Sequence, residues 1–424
     1  MLFDRAAESV GLDFLAHPFW DKYIEFEERL EAHDRIFAIL DRIIHIPLHQ
    51  YARYFERYQT MAAQRPVSDI APEEVITRLR DEITQDTTLK SKEPAAVDKE
   101  LRGKISAYHM DIFTRTQTET TKRWTYEQEV KRPYYHVTEL DDAQLANWRK
   151  YLDFEEIEGD YARTKFLYER CLVTCANYDE FWYRYARWTM GQTDKSKVML
   201  DEEVRNIYRR ASCTYVSITQ PDIRLHYARF EESLGKADTA IAIHEAILQH
   251  LPSHLETIVS LANTHRRQLG LQPAIDVLKS HISNSSLTPV RGSLIVEQAR
   301  LIWKVKGNAD EARNVFKASR QPDSKAFWAG WLDFEIAQPI SEKTEPAAYA
   351  RIKAVYQDIR KSLLRPKDIR ELMSRYLSYL EARGGKEAMV EWTEIDKEIN
   401  GPISIANTSG VTSKAALENG HKAR

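Results

Sequence analysis

Cysteine is nearly absent, with three residues in 424. A chain so poor in thiols is not stapled by disulfides, and its composition suits a reducing compartment. Cys171 and Cys175 stand one helical turn apart, as half a zinc site would. No second Cys/His pair follows at matching spacing, so they read as buried thiols. Glycine and proline are also sparse, at 14 and 15 residues, and long stretches lack apolar/polar alternation, which argues for helix over strand. No run approaches the roughly 18 apolar residues of a membrane helix, and the start lacks the basic-then-apolar pattern of a secretory signal. The expectation is a soluble intracellular chain without membrane contact. A strong charge of one sign is missing as well: a net charge of −3 gives no chain-wide pull toward nucleic acid.

Catalytic signatures are missing too. Gly384-Gly385-Lys386 lacks the frame of a phosphate-binding loop. His244-Glu245 has no second histidine at the zinc-protease position, and Pro252 separates His250 from His254. Ser233-x-x-Lys236 falls at the end of a predicted helix, by Gly235. Asp141-Asp142 reads as a cap for the helix beginning near Ala143. The sequence therefore points away from an enzyme and implies no cofactor.

What is present is a repeat. In Trp148-x-x-Tyr151-x-x-Phe154-Glu155 the three aromatics cover roughly 120° of one helix face. Gly159-Asp160 stops that helix and starts the next, which carries Phe166, Leu167, Tyr168 and Cys171. A two-helix hairpin cannot bury both stripes alone, so copies must stack. Trp182, Tyr185 and Trp188 restart the pattern about 34 residues after Trp148, the length of one helix–turn–helix unit. Further copies start at Tyr227, Leu255, Ala299, Trp328 and Met373, and Trp20-x-x-Tyr23-x-x-Phe26-Glu27 makes an early one. The predicted fold class is all-α, with TPR-like helical hairpins stacked as an α-solenoid.

Glu155 falls near the middle of its apolar stripe, where a carboxylate is costly unless paired. Arg163, at the start of the next helix, is the expected partner. Glu27 and Arg35 repeat the separation, so the reading is a Glu–Arg clasp across each turn.

The predicted organisation is N-terminal repeats over 1–63, a linker with a short helix near Glu73–Ile83 over 64–98, a long connecting helix over 99–133, a second repeat array over 134–400 and a disordered tail over 401–424. The threonine-rich later half of the connecting helix, from Thr114 to Thr121, has weak helix propensity and admits a break. Arg351, Lys353, Arg360, Lys361, Arg365, Lys367 and Arg370 form a basic stretch between two repeats. It reads as a solvated helix face, an RNA phosphate contact or a dock for an acidic protein.

The hairpins, with Trp-x-x-Tyr-x-x-Phe-Glu in the first helix, resemble half-a-tetratricopeptide (HAT) repeats. The block Lys122-Arg123-Trp124-Thr125-Tyr126-Glu127, then Lys131-Arg132-Pro133-Tyr134-Tyr135-His136-Val137, then Trp148 through Glu155 and Tyr168-Glu169-Arg170-Cys171-Leu172, is similar to the pre-mRNA-processing factor 39 family. The resemblance covers residues 14–400. It implies a nuclear, non-enzymatic scaffold of the U1 small nuclear ribonucleoprotein acting in 5′ splice-site selection. Its implied partners are U1 proteins and a second copy or related HAT-repeat protein, engaged through the C-terminal array, with U1 RNA or pre-mRNA association mostly indirect. Within that array Trp328, Trp331, Tyr376, Tyr379 and Trp392 are the candidate partner surface. Arg360, Lys361 and Arg365 are the candidate contacts for RNA or an acidic partner. The alternatives are a HAT scaffold of another complex, in 3′-end cleavage or rRNA processing, and a direct RNA binder. The family carries several further repeats before the position of Phe19-Trp20, so the chain reads as a fragment or an incomplete gene model.

Overall fold

The structure, a computed structural model, describes residues 2–85, 94–341 and 343–401. Among these residues every regular element is helical. The chain divides into two compact units, residues 1–207 and 208–424.

The first unit contains α1 (Leu2–Val10), α2 (His17–Arg29), α3 (His33–Ile43), α4 (Tyr51–Ala63), α5 (Glu73–Gln85), α6 (Pro94–Glu129), α7 (Asp142–Glu158), α8 (Tyr161–Thr174) and α9 (Asp179–Met190), and the boundary falls within α10 (Lys197–Arg210). Trp20 and Tyr23 of the α2 stripe are buried with Ile36, Phe37, Leu40 and Ile43 of α3 and Tyr54, Phe55 and Tyr58 of α4, while Phe26 is exposed. Trp20 closes that packing. Its indole Nε1 donates to the Gly11 carbonyl at 3.1 Å. A Cβ on Gly11 would stand 2.4 Å from the Ala7 carbonyl oxygen and 2.7 Å from the Trp20 ring, so only glycine fits. In the second hairpin of the repeat type, α7 ends at Gly159 with φ +80°. Asp160 then caps α8, its carboxylate accepting from the Arg163 amide at 3.0 Å.

Within the segment 64–98, the short helix expected near Glu73–Ile83 is α5. α5 places Ile76, Leu79 and Ile83 on one face, and all three are buried in the same cluster as α2–α4. The spacing +3, +7 is that of a core-facing helix, and it outweighs the surrounding prolines. The polar residues 86–93 lie outside the described residues, as does the tail over 402–424.

α6 runs unbroken from Pro94 to Glu129, about 54 Å at 1.5 Å per residue. The break that the threonines admit does not occur, and five of their hydroxyls are paired. Thr114, Thr118, Thr120 and Thr121 donate to the carbonyls four residues earlier at 2.7–2.9 Å. Thr116 instead donates to the Ile44 carbonyl at 2.7 Å, satisfying an acceptor left open at the end of α3. Leu101, Ile105 and Ile112 join α6 to the N-terminal core.

The second unit contains α11 (Asp222–Ser233), α12 (Ala237–His250), α13 (Leu255–Gln268), α14 (Leu271–Asn284), α15 (Thr288–Lys304), α16 (Ala309–Ala318), α17 (Lys325–Ile336), α18 (Glu345–Arg360), α19 (Pro366–Arg383) and α20 (Ala388–Asn400). These are five successive hairpins. Each helix packs on the next, and the first helices of neighbouring hairpins also pack on one another, as α13 on α15, α15 on α17 and α17 on α19. That double contact is the solenoid pattern, in which each repeat supplies the missing wall of its neighbour. A π-helical turn at Ala211–Tyr215 precedes α11. Arg224 fills the bend, its guanidinium donating to the carbonyls of Ser212, Val216, Ser217 and Gln220. Burial pulls its pKa down.

Candidate interaction surfaces

Glutamate–arginine clasps lie at two hairpin turns. Arg35 Nε lies 3.1 Å from Glu27 Oε1, and Arg163 Nη2 lies 3.5 Å from Glu155 Oε1. The stronger partner of Glu155 comes from elsewhere. Arg123 of α6 grips it bidentately at 2.7 and 2.9 Å, with both side chains almost wholly buried. Glu119 accepts from the remaining Arg123 nitrogen at 2.5 Å. These carboxylates hold the Arg123 guanidinium protonated against the burial that opposes its charge. The arrangement recurs in the second unit. There Glu335 of α17 takes Arg313 of α16 at 2.9 and 3.1 Å and Arg351 of α18 at 3.6 Å. The glutamate that ends each of these first helices is thus held by its own hairpin and by the preceding helix. The sequence reading found only the contact within the hairpin. Arg123 lies inside the most specific motif block, but its distance along the chain hid its target.

A second ionic knot also escaped the sequence reading. Arg170 of α8 is bound by Glu127 of α6 at 2.6 and 2.7 Å and reaches Asp13 at 3.0 Å. Its guanidinium lies 5.9 Å from the Trp148 ring centroid, and the Tyr151 hydroxyl donates to Glu127 at 2.8 Å. The motif residues Glu127, Tyr151 and Arg170 therefore meet at one point, and they tie the α1–α2 loop to the first full repeat after α6. Trp124, on the same helix, stacks on His49 at 5.2 Å and packs near Phe14.

The expected partner surface in the C-terminal array needs correction. Trp328, Trp331, Tyr376 and Tyr379 are buried, and Trp392 is half-buried against the same core cluster. Trp331 stacks on Phe316 at 5.5 Å with an interplanar angle of 3°. Tyr376 stacks on Tyr356 at 4.1 Å. These rings are spent on joining α16, α17, α18 and α19. The stripe spacing that makes them conspicuous is what turns them inward.

The basic stretch is largely neutralised. Arg351 pairs with Glu335, Lys353 with Glu391 at 3.1 Å, Arg360 with Glu398 at 2.6 Å and Arg365 with Asp368 at 2.9 Å. Lys361, Lys367 and Arg370 are exposed and make no ion pair among the described residues. By contrast, the motif segment 131–137 is exposed except for the half-buried Arg132. Tyr134, Tyr135 and Val137 are exposed, and the bend is held by Arg132 donating to the Thr138 carbonyl and the Thr138 amide donating to His136 Nδ1, both at 3.0 Å. Cys171 and Cys175 are buried, and burial raises the Cys171 thiol. Among the described residues no group of three or more His, Cys, Asp or Glu could hold a metal ion. No described helix is long and apolar enough to cross a membrane.

Stacked hairpins with aromatic first helices and clasped glutamates define a HAT-repeat protein. The solved structure of CSTF-77 agrees in fold, with a TM-score of 0.56 over 97% of this chain and 77% of that one at 11% identity. The family model of the PRP39 C-terminal HAT repeat matches residues 121–267, and that of the PRP39 N-terminal HAT repeat matches residues 1–60. Pre-mRNA-processing factor 39 of Schizosaccharomyces pombe is 44% identical, over 95% of this chain and 68% of its own length. The chain belongs to the pre-mRNA-processing factor 39 family. The Homo sapiens relative of that name is 27% identical over 84% of this chain, which spans 55% of the human protein. The U1 small nuclear ribonucleoprotein component PRP42 of Saccharomyces cerevisiae is 23% identical over 45% of this chain and 36% of its own length.

Proposed function

We propose that this chain is a non-enzymatic scaffold of the U1 small nuclear ribonucleoprotein, working in the nucleus in pre-mRNA splicing and 5′ splice-site selection through protein–protein contacts. The observation that carries the reading is the 44% identity sustained over 95% of the chain to a relative named for pre-mRNA processing. Similarity to a relative named as a U1 component supports that particle as the setting. The physical layout agrees: the hairpins spend their aromatics on stacking, which leaves long helix faces and exposed turns for partners. Pairing with a second copy or a related HAT-repeat protein through the C-terminal array belongs to the same proposal. Direct RNA binding by Arg360, Lys361 and Arg365 is the weaker reading, because two of the three already have carboxylate partners.

Affinity purification of the tagged chain from nuclear extract tests the proposal. U1 RNA and U1 proteins co-purify if it holds. Recovery of a 3′-end cleavage or rRNA-processing complex without U1 RNA would replace it. Light scattering on the purified chain reads the pairing, and a strictly monomeric mass at high concentration removes that part.

A further inference from the structure

The connection between α18 and α19, residues 361–365, lies in the basic stretch, whose charges are unevenly spent. Arg360 is held by Glu398 and Arg365 by Asp368. Lys361, Lys367 and Arg370 are exposed and make no ion pair among the described residues. Lys367 and Arg370 share the solvent side of α19 with Glu371 and Ser374, at the three- and four-residue intervals that align side chains along a helix. The carboxylates around them are taken: Asp358 by Arg320 at 2.7 Å, Asp368 by Arg365 at 2.9 Å and Glu371 by Lys325 at 2.6 Å. Asp323 is exposed without an ion pair among the described residues, so three free cations stand against one free carboxylate.

A second observation falls in the same place. Leu363 leaves 76% of its surface in water, although Leu364 beside it belongs to the core cluster. Leu363 is fixed in that exposed position. Its amide donates to the Pro322 carbonyl of the α16–α17 connection at 2.9 Å, and the Ser362 hydroxyl donates to the Ile359 carbonyl at 2.6 Å. Pro322 and Pro366 are exposed as well. Leu363 and the two prolines make an apolar ledge, with cations on both the connection and the helix that follows it. An apolar centre with a charged rim is the anatomy of a protein interface.

We infer that this ledge docks an acidic segment of another protein, one in which Asp or Glu residues flank an apolar side chain. The apolar side chain covers Leu363, and the carboxylates reach Lys361, Lys367 and Arg370, which have no ion-pair partner to give up. The composition of the patch selects the occupant. Single-stranded RNA is held by stacking its bases on aromatic rings beside the cations, and no residue of the two connections or of the first turn of α19 is aromatic. A two-fold pairing of this face with itself would set cation against cation. The inference stands on the ledge alone and does not depend on the assembly proposed above.

The test is fluorescence anisotropy of the full chain with a labelled peptide in which glutamates flank a pair of leucines. The controls are the same peptide with lysine for glutamate and a labelled oligouridine. The expected result is saturable binding of the glutamate peptide only, weakening as salt is raised. Lys361→Gln with Lys367→Gln and Arg370→Gln should weaken it about tenfold, as three exposed ion pairs are lost. Leu363→Ser should weaken it about three- to tenfold at unchanged salt dependence, because it removes apolar contact and no charge. The circular dichroism melt of both variants stays unchanged, since all four side chains are exposed. Glutamate peptide that fails to bind, equal binding of the lysine peptide, or an affinity indifferent to either variant would overturn the proposal. So would oligouridine binding or a dimeric mass that disappears with the triple substitution, either of which would hand the ledge to RNA or to a second copy.

Discussion

Replacing Arg123 with methionine should destabilise the first unit by about 3 kcal/mol. Arg123 and Glu155 are both almost fully buried and joined by two hydrogen bonds of 2.7 and 2.9 Å. Removing one member of such a pair leaves a charge in a low-dielectric site, which costs about 3–5 kcal/mol. Methionine fills similar volume, so little cavity penalty is added. The lower end of the range applies because Arg163 remains 3.5 Å from Glu155 and retains some solvent contact. That same geometry ranks the two cations. Arg163→Met breaks only the longer contact and should cost about 1 kcal/mol. Replacing the pair together, Arg123→Met with Glu155→Met, removes the stranded charge and should recover most of the loss, giving a coupling energy of about 2–3 kcal/mol. Urea unfolding followed by tryptophan fluorescence reads the totals, and amide exchange in α6 and α7 locates the loss. The reasoning is refuted if Arg123→Met costs less than about 1 kcal/mol, or if it costs less than Arg163→Met.

Gly11→Ala should cost about 1–3 kcal/mol by thermal unfolding, since its Cβ meets a backbone carbonyl and the Trp20 ring at once. Trp331→Ala should cost about 3–5 kcal/mol with no effect on any purified partner beyond that loss, because the ring belongs to the core. His109 and His244 are buried, and desolvation holds both imidazoles below the ordinary value of 6.5. The unfolded chain then takes protons that the folded chain refuses, so stability is full above about pH 6.5 and falls as the pH drops toward the folded-state values. His109→Gln should flatten that fall in urea titrations between pH 7 and pH 5, and an unchanged slope would count against the assignment. Neutralising Arg360, Lys361 and Arg365 to glutamine should leave RNA affinity unchanged in filter binding, whereas a large loss with a shallower salt dependence would restore the RNA reading.

The repeat itself was legible because helix geometry is local. Trp148, Tyr151 and Phe154 declare a buried face by spacing alone, and Gly159-Asp160 announces the turn. The same locality explains the near-miss on the clasps. Glu155 could be recognised as needing a cation, and Arg163 was close enough in sequence to be chosen, but the better partner sits 32 residues earlier in the chain. α5 shows the same division between what is local and what is not. The helix near Glu73–Ile83 was expected, and its packing shows that Ile76, Leu79 and Ile83 are core. The threonines of α6 stay helical despite their weak propensity, and Thr116 is anchored from outside by the Ile44 carbonyl just past α3, a contact that propensity does not contain.

The sequence alone determined that this is an all-α chain of stacked hairpins and where the hairpins turn, because period and turn chemistry are written residue by residue. Tertiary structure alone decided which cation answers each buried carboxylate, which aromatics are already spent on stacking and which charges on α19 remain free. Those outcomes depend on what the chain brings alongside from far away, and a pairing energy has no counterpart in local spacing.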